Sequence, residues 1–174
     1  MKRVIVIGCL GSGKSVFSKR LHSITGIPLT HLDNLYWNAD RTIVPREVFL
    51  SRLKDVMSGD TWIIDGNYGS TMPLRMDKSD TIFFLDYPTE ICIAGIMARR
   101  GKSRDDLPWT EAPDEIDESF LSYVRDFRAH SRPEIIRLLN AHSGKRVVRF
   151  TDRDEATRCL EELRESGQNP ALAL

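Results

Sequence analysis

The feature of this 174-residue sequence that most constrains its fold is the pattern G-x-x-x-x-G-K-S at residues 8–15. The β-branched run at residues 4–7 ahead of it is typical of a buried parallel strand. Behind it, Phe17, Leu21 and Ile24 recur at spacings of four and three, which indicates one face of a helix. A strand, a glycine-rich loop and a helix in this order are the context that a phosphate-binding P-loop requires. The sequence therefore predicts a P-loop rather than a glycine-rich turn that binds nothing.

Each part of this loop has a physical role in holding phosphate. Glycine lets the backbone turn tightly and point N–H groups inward, and the helix N-terminus adds partial positive charge. The Lys14 ammonium is a point charge for the β- and γ-phosphates, and the Ser15 hydroxyl is a Mg²⁺ ligand. We therefore predict that the nucleotide is bound by the following loop residues: Gly8, Gly11, Ser12, Gly13, Lys14, Ser15 and Val16.

The composition argues against several functional classes. Lysine and arginine together number 25, as do aspartate and glutamate, so the formal net charge is zero. This balance makes a broad nucleic-acid-binding surface unexpected. No apolar run approaches the roughly 20 residues of a membrane span, and we see no signal peptide. The three cysteines are widely spaced, which favours reduced thiols in a cytoplasmic protein. We expect a single domain over residues 1–174 that binds no membrane, with a frayed tail from about residue 167.

Apolar strand-type runs alternate with helical patterns along the whole chain. The alternation predicts an α/β three-layer sandwich with a five-stranded parallel sheet and helices on both faces. Ligands in such folds bind beyond the carboxyl ends of the strands. The predicted strands are residues 2–7, 27–32, 61–64, 81–85 and 145–150, and the helices after the first are 45–58, 88–100, 114–130 with a break near Ser131, and 153–166.

Three acids directly follow predicted strands, where a P-loop enzyme would need them. Phosphoryl transfer requires Mg²⁺, an acid that positions metal or water, and cations for the transition-state charge. Asp65 is the candidate metal-organising acid, and Asp33 is the candidate base or acceptor-binding group. Asp86 has two interpretations, a functional acid or a cap of the helix that follows it. The strand end at Thr151-Asp152 is a further candidate.

Two groups of cations flank a polar stretch that contains glycine and proline. Four cations at residues 99–104 precede it, and three arginines at helical spacing follow it, as in a small closing lid over about residues 101–131. Two such groups are suited to binding a phosphate from two sides. The alternative interpretations of these cations are a solvated basic face or a contact with the DNA backbone. From these groups we take Arg99 and Arg128 as candidate catalytic residues, with Arg100, Lys102, Arg104, Arg125 and Arg132 around them.

These motifs together resemble the adenylate-kinase-like P-loop kinases, and more closely the bacterial DNA topology modulation protein group. The resemblance spans roughly residues 1–150 and rests on the P-loop, on residues 31–37 (HLDNLYW), on residues 62–68 (WIIDGNY) and on residues 84–88 (FLDYP). It implies a nucleoside- or small-molecule-kinase fold that uses ATP and Mg²⁺. It also implies that Asp65 organises Mg²⁺-bound water, that Asp33 binds the acceptor and that Arg99 contacts phosphate.

The sequence departs from the adenylate kinase pattern at two positions. Adenylate kinases carry an arginine that stacks on the adenine where this chain has Gly95, so the resemblance implies weak selection of the base. The arginine that grips the AMP phosphate is also missing after Asp65-Gly66, with Arg75 or Arg46 as substitutes. We therefore expect Mg²⁺-dependent transfer from ATP to an unidentified small acceptor. The alternatives are an NTP-binding switch or slow NTPase, and third a DNA-associated regulator.

Overall fold

A computed structural model of the protein describes residues 1–99, 106–108 and 118–167. Strands and helices alternate along this part of the chain, as the sequence predicted. The strands are β1 Arg3–Gly8, β2 Leu29–His31, β3 Trp62–Asp65, β4 Thr81–Leu85 and β5 Arg146–Phe150. The helices are α1 Lys14–Thr25, α2 Leu32–Tyr36, α3 Arg46–Met57, α4 Met72–Lys78, α5 Thr89–Arg99, α6 Glu118–Asp126, α7 Ser131–Ala141 and α8 Arg153–Glu165, with a 3₁₀ turn at Gly69–Thr71.

The five strands form one parallel sheet in the order β2-β3-β1-β4-β5. All residues of β3 and β4 are buried, although successive side chains of a strand point to opposite faces. Helices therefore cover both faces of the sheet, and the three-layer prediction is confirmed. Because β1 lies between β3 and β4, the phosphate loop that follows it lies at the centre of the carboxyl edge.

Two local elements differ from the sequence-based prediction. The second strand is only three residues long, and Asp33 lies in the first turn of the short helix α2 rather than at a strand end. Helix α4 was not predicted, because its seven residues are too few for a clear helical period.

The break predicted near Ser131 is confirmed, since α7 begins at that residue. Much of the predicted lid over residues 101–131, including Arg100, Lys102 and Arg104, lies outside the described residues, as does the predicted tail beyond Gly167. Among the helices of the described residues, none combines the length and apolar character needed to cross a membrane.

Candidate active site

Two glycines with a left-handed backbone conformation and the side chain of Lys14 determine the shape of the phosphate loop. Gly11 and Gly13 have φ values of 77° and 90°, which glycine adopts without steric cost. The Lys14 ammonium donates to the carbonyl oxygens of Gly8 and Cys9, at 3.1 and 2.9 Å. Burial lowers the pKa of Lys14. A bound phosphate would favour the charged form of this lysine.

Asn67, which follows the neighbouring strand β3, holds the first residue of the phosphate loop by two hydrogen bonds. The Asn67 amide accepts a hydrogen bond from Gly8 N at 3.0 Å and donates to Gly8 O at 2.7 Å. This pair joins the segment after β3 to the residue that ends β1. The predicted loop residues Gly8 and Ser12 do not line the cavity described below, and Ser12 is buried.

Gly95 contacts the phosphate loop and also lines the cavity described below, and the base-stacking comparison stays a prediction. A Cβ added at Gly95 would lie 2.1 Å from the Gly11 carbonyl oxygen and 2.5 Å from Arg153 Nη2. Arg153 Nη2 donates to Ile91 O at 3.2 Å and to Gly11 O at 3.4 Å. The missing side chain therefore lets α5 touch the loop and leaves room for the Arg153 guanidinium.

The two carboxylate oxygens of Asp65 differ in their hydrogen bonding among the described residues. Its Oδ1 lies 2.8 Å from His31 Nδ1. Burial opposes protonation of His31, but this hydrogen bond and the Asp65 charge raise the pKa of the imidazole. Asp65 Oδ2 is buried and has no hydrogen-bond partner among the described residues. Asp65 and Ser15 both line the cavity described below, and a carboxylate with a hydroxyl oxygen is a donor set that fits Mg²⁺.

Asp33 is hydrogen-bonded to a tyrosine that packs among other aromatic side chains. The Tyr68 hydroxyl donates to Asp33 Oδ1 at 2.5 Å. Burial and the Asp33 charge raise the pKa of Tyr68, so the phenol keeps its proton. The Tyr68 ring packs on Tyr36 and Phe49, with centroid distances of 4.8 and 5.4 Å. This contact orients the carboxylate.

Arg75 is a structural residue and does not substitute for a phosphate-gripping arginine. It is fully buried, and its guanidinium donates to the carbonyl oxygens of Gly66, Asn67 and Tyr68. Burial lowers its pKa to about 9. Tyr68 has a φ of 37°, a left-handed conformation that is costly for a tyrosine. Arg75 therefore holds the strained segment that carries Asn67 and Tyr68.

One cavity of about 1140 Å³ joins these groups. Its described lining includes most of the predicted site, namely Gly11, Gly13, Lys14, Ser15, Val16, Asp33, Asp65 and Arg99. Arg128 is exposed and does not line the cavity. Arg46 is exposed at the start of α3 and does not line it either.

Asp86 is an ion-pair residue and neither a cap nor a cavity acid. Its side chain is 1% exposed and receives hydrogen bonds from Arg132 Nε at 2.8 Å and Nη2 at 3.0 Å. Arg149 Nη2 lies 2.5 Å from the same carboxylate. Asp86 therefore ties α7 and β5 to the end of β4. Asp152 is a helix cap, since its carboxylate accepts from Glu155 N at 2.8 Å at the start of α8.

Breaking this buried pair should destabilise the protein. Arg132→Met leaves Asp86 with Arg149 alone, and we expect the free energy of unfolding to fall by about 2 kcal/mol. The matched control is Arg137→Met on the same helix, which removes an exposed ion pair with Glu134 and should cost less than about 1 kcal/mol. Urea denaturation measures both. Equal midpoints for the two variants would show that the Asp86 pair does not clamp α7.

Sequence reasoning missed four residues that shape the site: His31, Asn67, Tyr68 and Arg153. The first three lie within the motifs that carried the family resemblance, but the pattern alone did not say what they touch. Arg153 begins α8, two residues after the end of β5, so its place near the carboxyl edge of the sheet was the available signal.

Comparison with known proteins relates this chain to others by fold. No known protein-family model matches the sequence, and no curated protein sequence matches it significantly. The structure of shikimate kinase from Acinetobacter baumannii in complex with shikimate is similar, with a TM-score of 0.60, 13% identity and coverage of 95% of this chain and 94% of that one. Shikimate kinase from Bacteroides thetaiotaomicron gives 0.57 and 14%, with coverage of 95% and 97%. The chain therefore has the P-loop α/β fold of shikimate kinases.

Proposed function

We propose that this protein is a kinase that transfers the γ-phosphoryl group of ATP to a hydroxyl group of a small acceptor. The observation that carries the proposal is the shared cavity. The phosphate loop with Lys14, the acid Asp65 with its unpaired oxygen, and Asp33 with its tyrosine partner all line this one space. The fold shared with shikimate kinases supports the same reaction class.

Lys14 would follow the migrating charge in this reaction. The Lys14 ammonium donates to two carbonyl oxygens of the loop, so this side chain lies along the loop that would hold the phosphates. As the bond to the γ-phosphorus breaks, negative charge grows on the oxygen that leaves with ADP. A positioned cation stabilises that charge more than it stabilises bound ATP.

Asp33 would bind the acceptor hydroxyl and take its proton. The acceptor oxygen forms the new bond to the γ-phosphorus, the bond to the β–γ bridging oxygen breaks, and the hydroxyl proton moves to the carboxylate. The hydrogen bond from Tyr68 keeps that carboxylate oriented. An NTP-binding switch or slow NTPase would not need an acid held in this way.

Ser15 and Asp65 would hold Mg²⁺, since both line the cavity and both offer oxygen atoms. A bound Mg²⁺ would supply positive charge that neutralises part of the charge of the triphosphate. Arg99, one turn beyond Gly95 on α5, would contribute a further positive charge near the phosphates. Arg128 stays a prediction, as does the resemblance to the DNA topology modulation proteins.

Two isosteric substitutions test the roles of the acids. We expect Asp65→Asn to lower ADP formation about a hundredfold and to shift the Mg²⁺ concentration needed for half-maximal rate, because a carboxylate ligand is lost. Asp33→Asn should keep the ATP affinity within about threefold, because ATP would bind at the phosphate loop. It should lose acceptor-stimulated ADP release, because the carboxylate that would take the acceptor's proton is gone. Coupled assays and calorimetric titration measure these quantities. A wild-type Mg²⁺ titration in Asp65→Asn would contradict the metal assignment.

A further inference from the structure

We infer that His31 is a positioning residue for the metal site: its imidazole holds the Asp65 carboxylate so that one of the two carboxylate oxygens stays available to Mg²⁺. This inference rests on the metal assignment of the proposed function and adds a residue that acts through Asp65. It is carried by one hydrogen bond, by the backbone pairing that sets this bond, and by the position of His31 outside the cavity.

The backbone pairing of β2 with β3 places His31 beside Asp65. The two residues are partners in the parallel ladder, and they form the last of the three pairs that join these strands. Partner residues of a ladder point their side chains to the same face of the sheet. The imidazole and the carboxylate are therefore neighbours because of the strand register.

The residues that follow this pair also pack on one another. Leu32 is fully buried, and a Cβ added at Gly66 would lie 3.0 Å from the Leu32 Cβ. Gly66 has a φ of 123°, which glycine adopts without steric cost. The backbone before and after the pair of His31 and Asp65 is therefore held in place, and the hydrogen bond joins two fixed segments.

The hydrogen bond occupies one carboxylate oxygen and leaves the other. His31 Nδ1 lies 2.8 Å from Asp65 Oδ1, and the two side chains are 11% and 5% exposed. A carboxylate accepts hydrogen bonds, so the proton of this bond is on Nδ1. Asp65 Oδ2 is buried without a hydrogen-bond partner among the described residues. The bond of His31 to Oδ1 thus determines which oxygen remains for a cation.

His31 does not line the cavity, whereas Asp65 does. The imidazole can therefore affect a ligand through the Asp65 carboxylate and not by contact. Removing a hydrogen-bond partner that orients a metal-binding side chain typically costs about 10- to 100-fold in metal affinity or activity. An effect of this size at His31 is what separates a positioning role from a link that only joins two strands.

The same two segments form a second hydrogen bond in the opposite direction. Tyr68, after β3, donates to Asp33 in the first turn of α2, while His31, at the end of β2, donates to Asp65 at the end of β3. Each candidate acid is thus held by a donor from the other segment. The Tyr68 bond still joins the segments when His31 is replaced, so a variant of His31 releases Asp65 without separating them.

The test is Mn²⁺ binding to the protein saturated with a non-hydrolysable ATP analogue, measured from the electron paramagnetic resonance signal of free Mn²⁺. We expect His31→Leu to raise the Mn²⁺ concentration for half-saturation about tenfold, because Asp65 loses its orienting donor. His31→Asn should stay within about threefold of the wild type, because its amide nitrogen is the same number of bonds from Cα as Nδ1 and can donate to Oδ1. His31→Gln should behave as His31→Leu, because its amide nitrogen is one bond further away.

A double variant shows whether His31 acts through Asp65. We expect Asp65→Asn alone to weaken Mn²⁺ binding. Adding His31→Leu to it should change the half-saturation by less than about twofold, since the carboxylate to be positioned is gone. The matched control is His142→Leu, which removes a bond of 2.9 Å between His142 Nε2 and Asp77 Oδ1 outside the cavity. It should leave Mn²⁺ binding within about twofold of the wild type, whatever its effect on the unfolding midpoint.

The outcomes separate this inference from the kinase proposal. If folded His31→Leu and His31→Gln bind Mn²⁺ as the wild type does, or if the effects of His31→Leu and Asp65→Asn multiply in the double variant, His31 does not position the metal acid. Should His31→Leu not fold, the difference between His31→Asn and His31→Gln decides by the same criterion. The kinase proposal is judged by ADP formation in wild-type and Lys14→Ala protein, and equal rates there overturn it while the result at His31 stands.

Discussion

Replacing Lys14 with alanine is expected to lower phosphoryl transfer by more than about a hundredfold, which corresponds to about 3 kcal/mol of lost transition-state stabilisation. Lys14 is the cation that lies within the phosphate loop, with its ammonium on the carbonyl oxygens of Gly8 and Cys9. Arg99 and Arg153 line the same cavity from other elements. They cannot follow the leaving oxygen as a residue of the loop can.

The control for this experiment is Lys54→Ala, which removes an exposed lysine of α3 outside the cavity. It should leave turnover within about twofold of the wild type, since exposed charges contribute little. Circular dichroism and the unfolding midpoint show that each variant is folded. Near-wild-type ADP formation in folded Lys14→Ala protein would contradict the assignment of this loop as the site of transfer.

Gly95→Ala should lower the activity about as strongly as Lys14→Ala does, although Gly95 lies in the interior of helix α5. Replacing glycine by alanine within a helix ordinarily stabilises it by roughly 0.5–1 kcal/mol. Here the new Cβ would lie 2.1 Å from the Gly11 carbonyl oxygen, so the phosphate loop has to move. Since a shift of about 1 Å at a reacting centre can cost about a hundredfold, we expect that loss in kcat/KM for ATP.

The matched control is Gly144→Ala, because a Cβ at Gly144 meets no atom within 4 Å. It should leave kcat/KM for ATP unchanged within about twofold, and Gly95→Arg should be at least as damaging as Gly95→Ala. Calorimetric titration and steady-state rates measure the effects. If Gly95→Arg instead tightens ATP binding, then Gly95 faces the base and the contact between α5 and the loop is not the one described.

The sequence was sufficient for the architecture because the features that determine it are local. The P-loop pattern, the apolar strands and the acids after three of those strands predicted a parallel sheet with the site at its carboxyl edge, and the sheet is parallel as predicted. Asp65 is the last residue of β3, at the strand end where the sequence placed it, and it lines the cavity with Lys14 and Asp33. Each of these inferences used only neighbouring residues.

The sequence was insufficient where a side chain's role depends on a distant partner. Asp86 looked like a strand-end acid, but it binds Arg132 and Arg149, which are 46 and 63 residues away in the sequence. Arg75 looked available for phosphate, but the carbonyls of the segment after β3 surround it. Charged residues at helical spacing do not reveal whether they face a cavity or another element.

The bonds of Arg75 to the backbone after β3 also affect how a ligand would be bound. The segment of Asn67 and Tyr68 is held in its strained form by a guanidinium behind it, before any ligand arrives. The conformational entropy of this wall of the cavity is therefore lost when the chain folds and not when a ligand binds. The wall is preorganised, so even a small molecule with few contacts can bind there without an ordering penalty on that side.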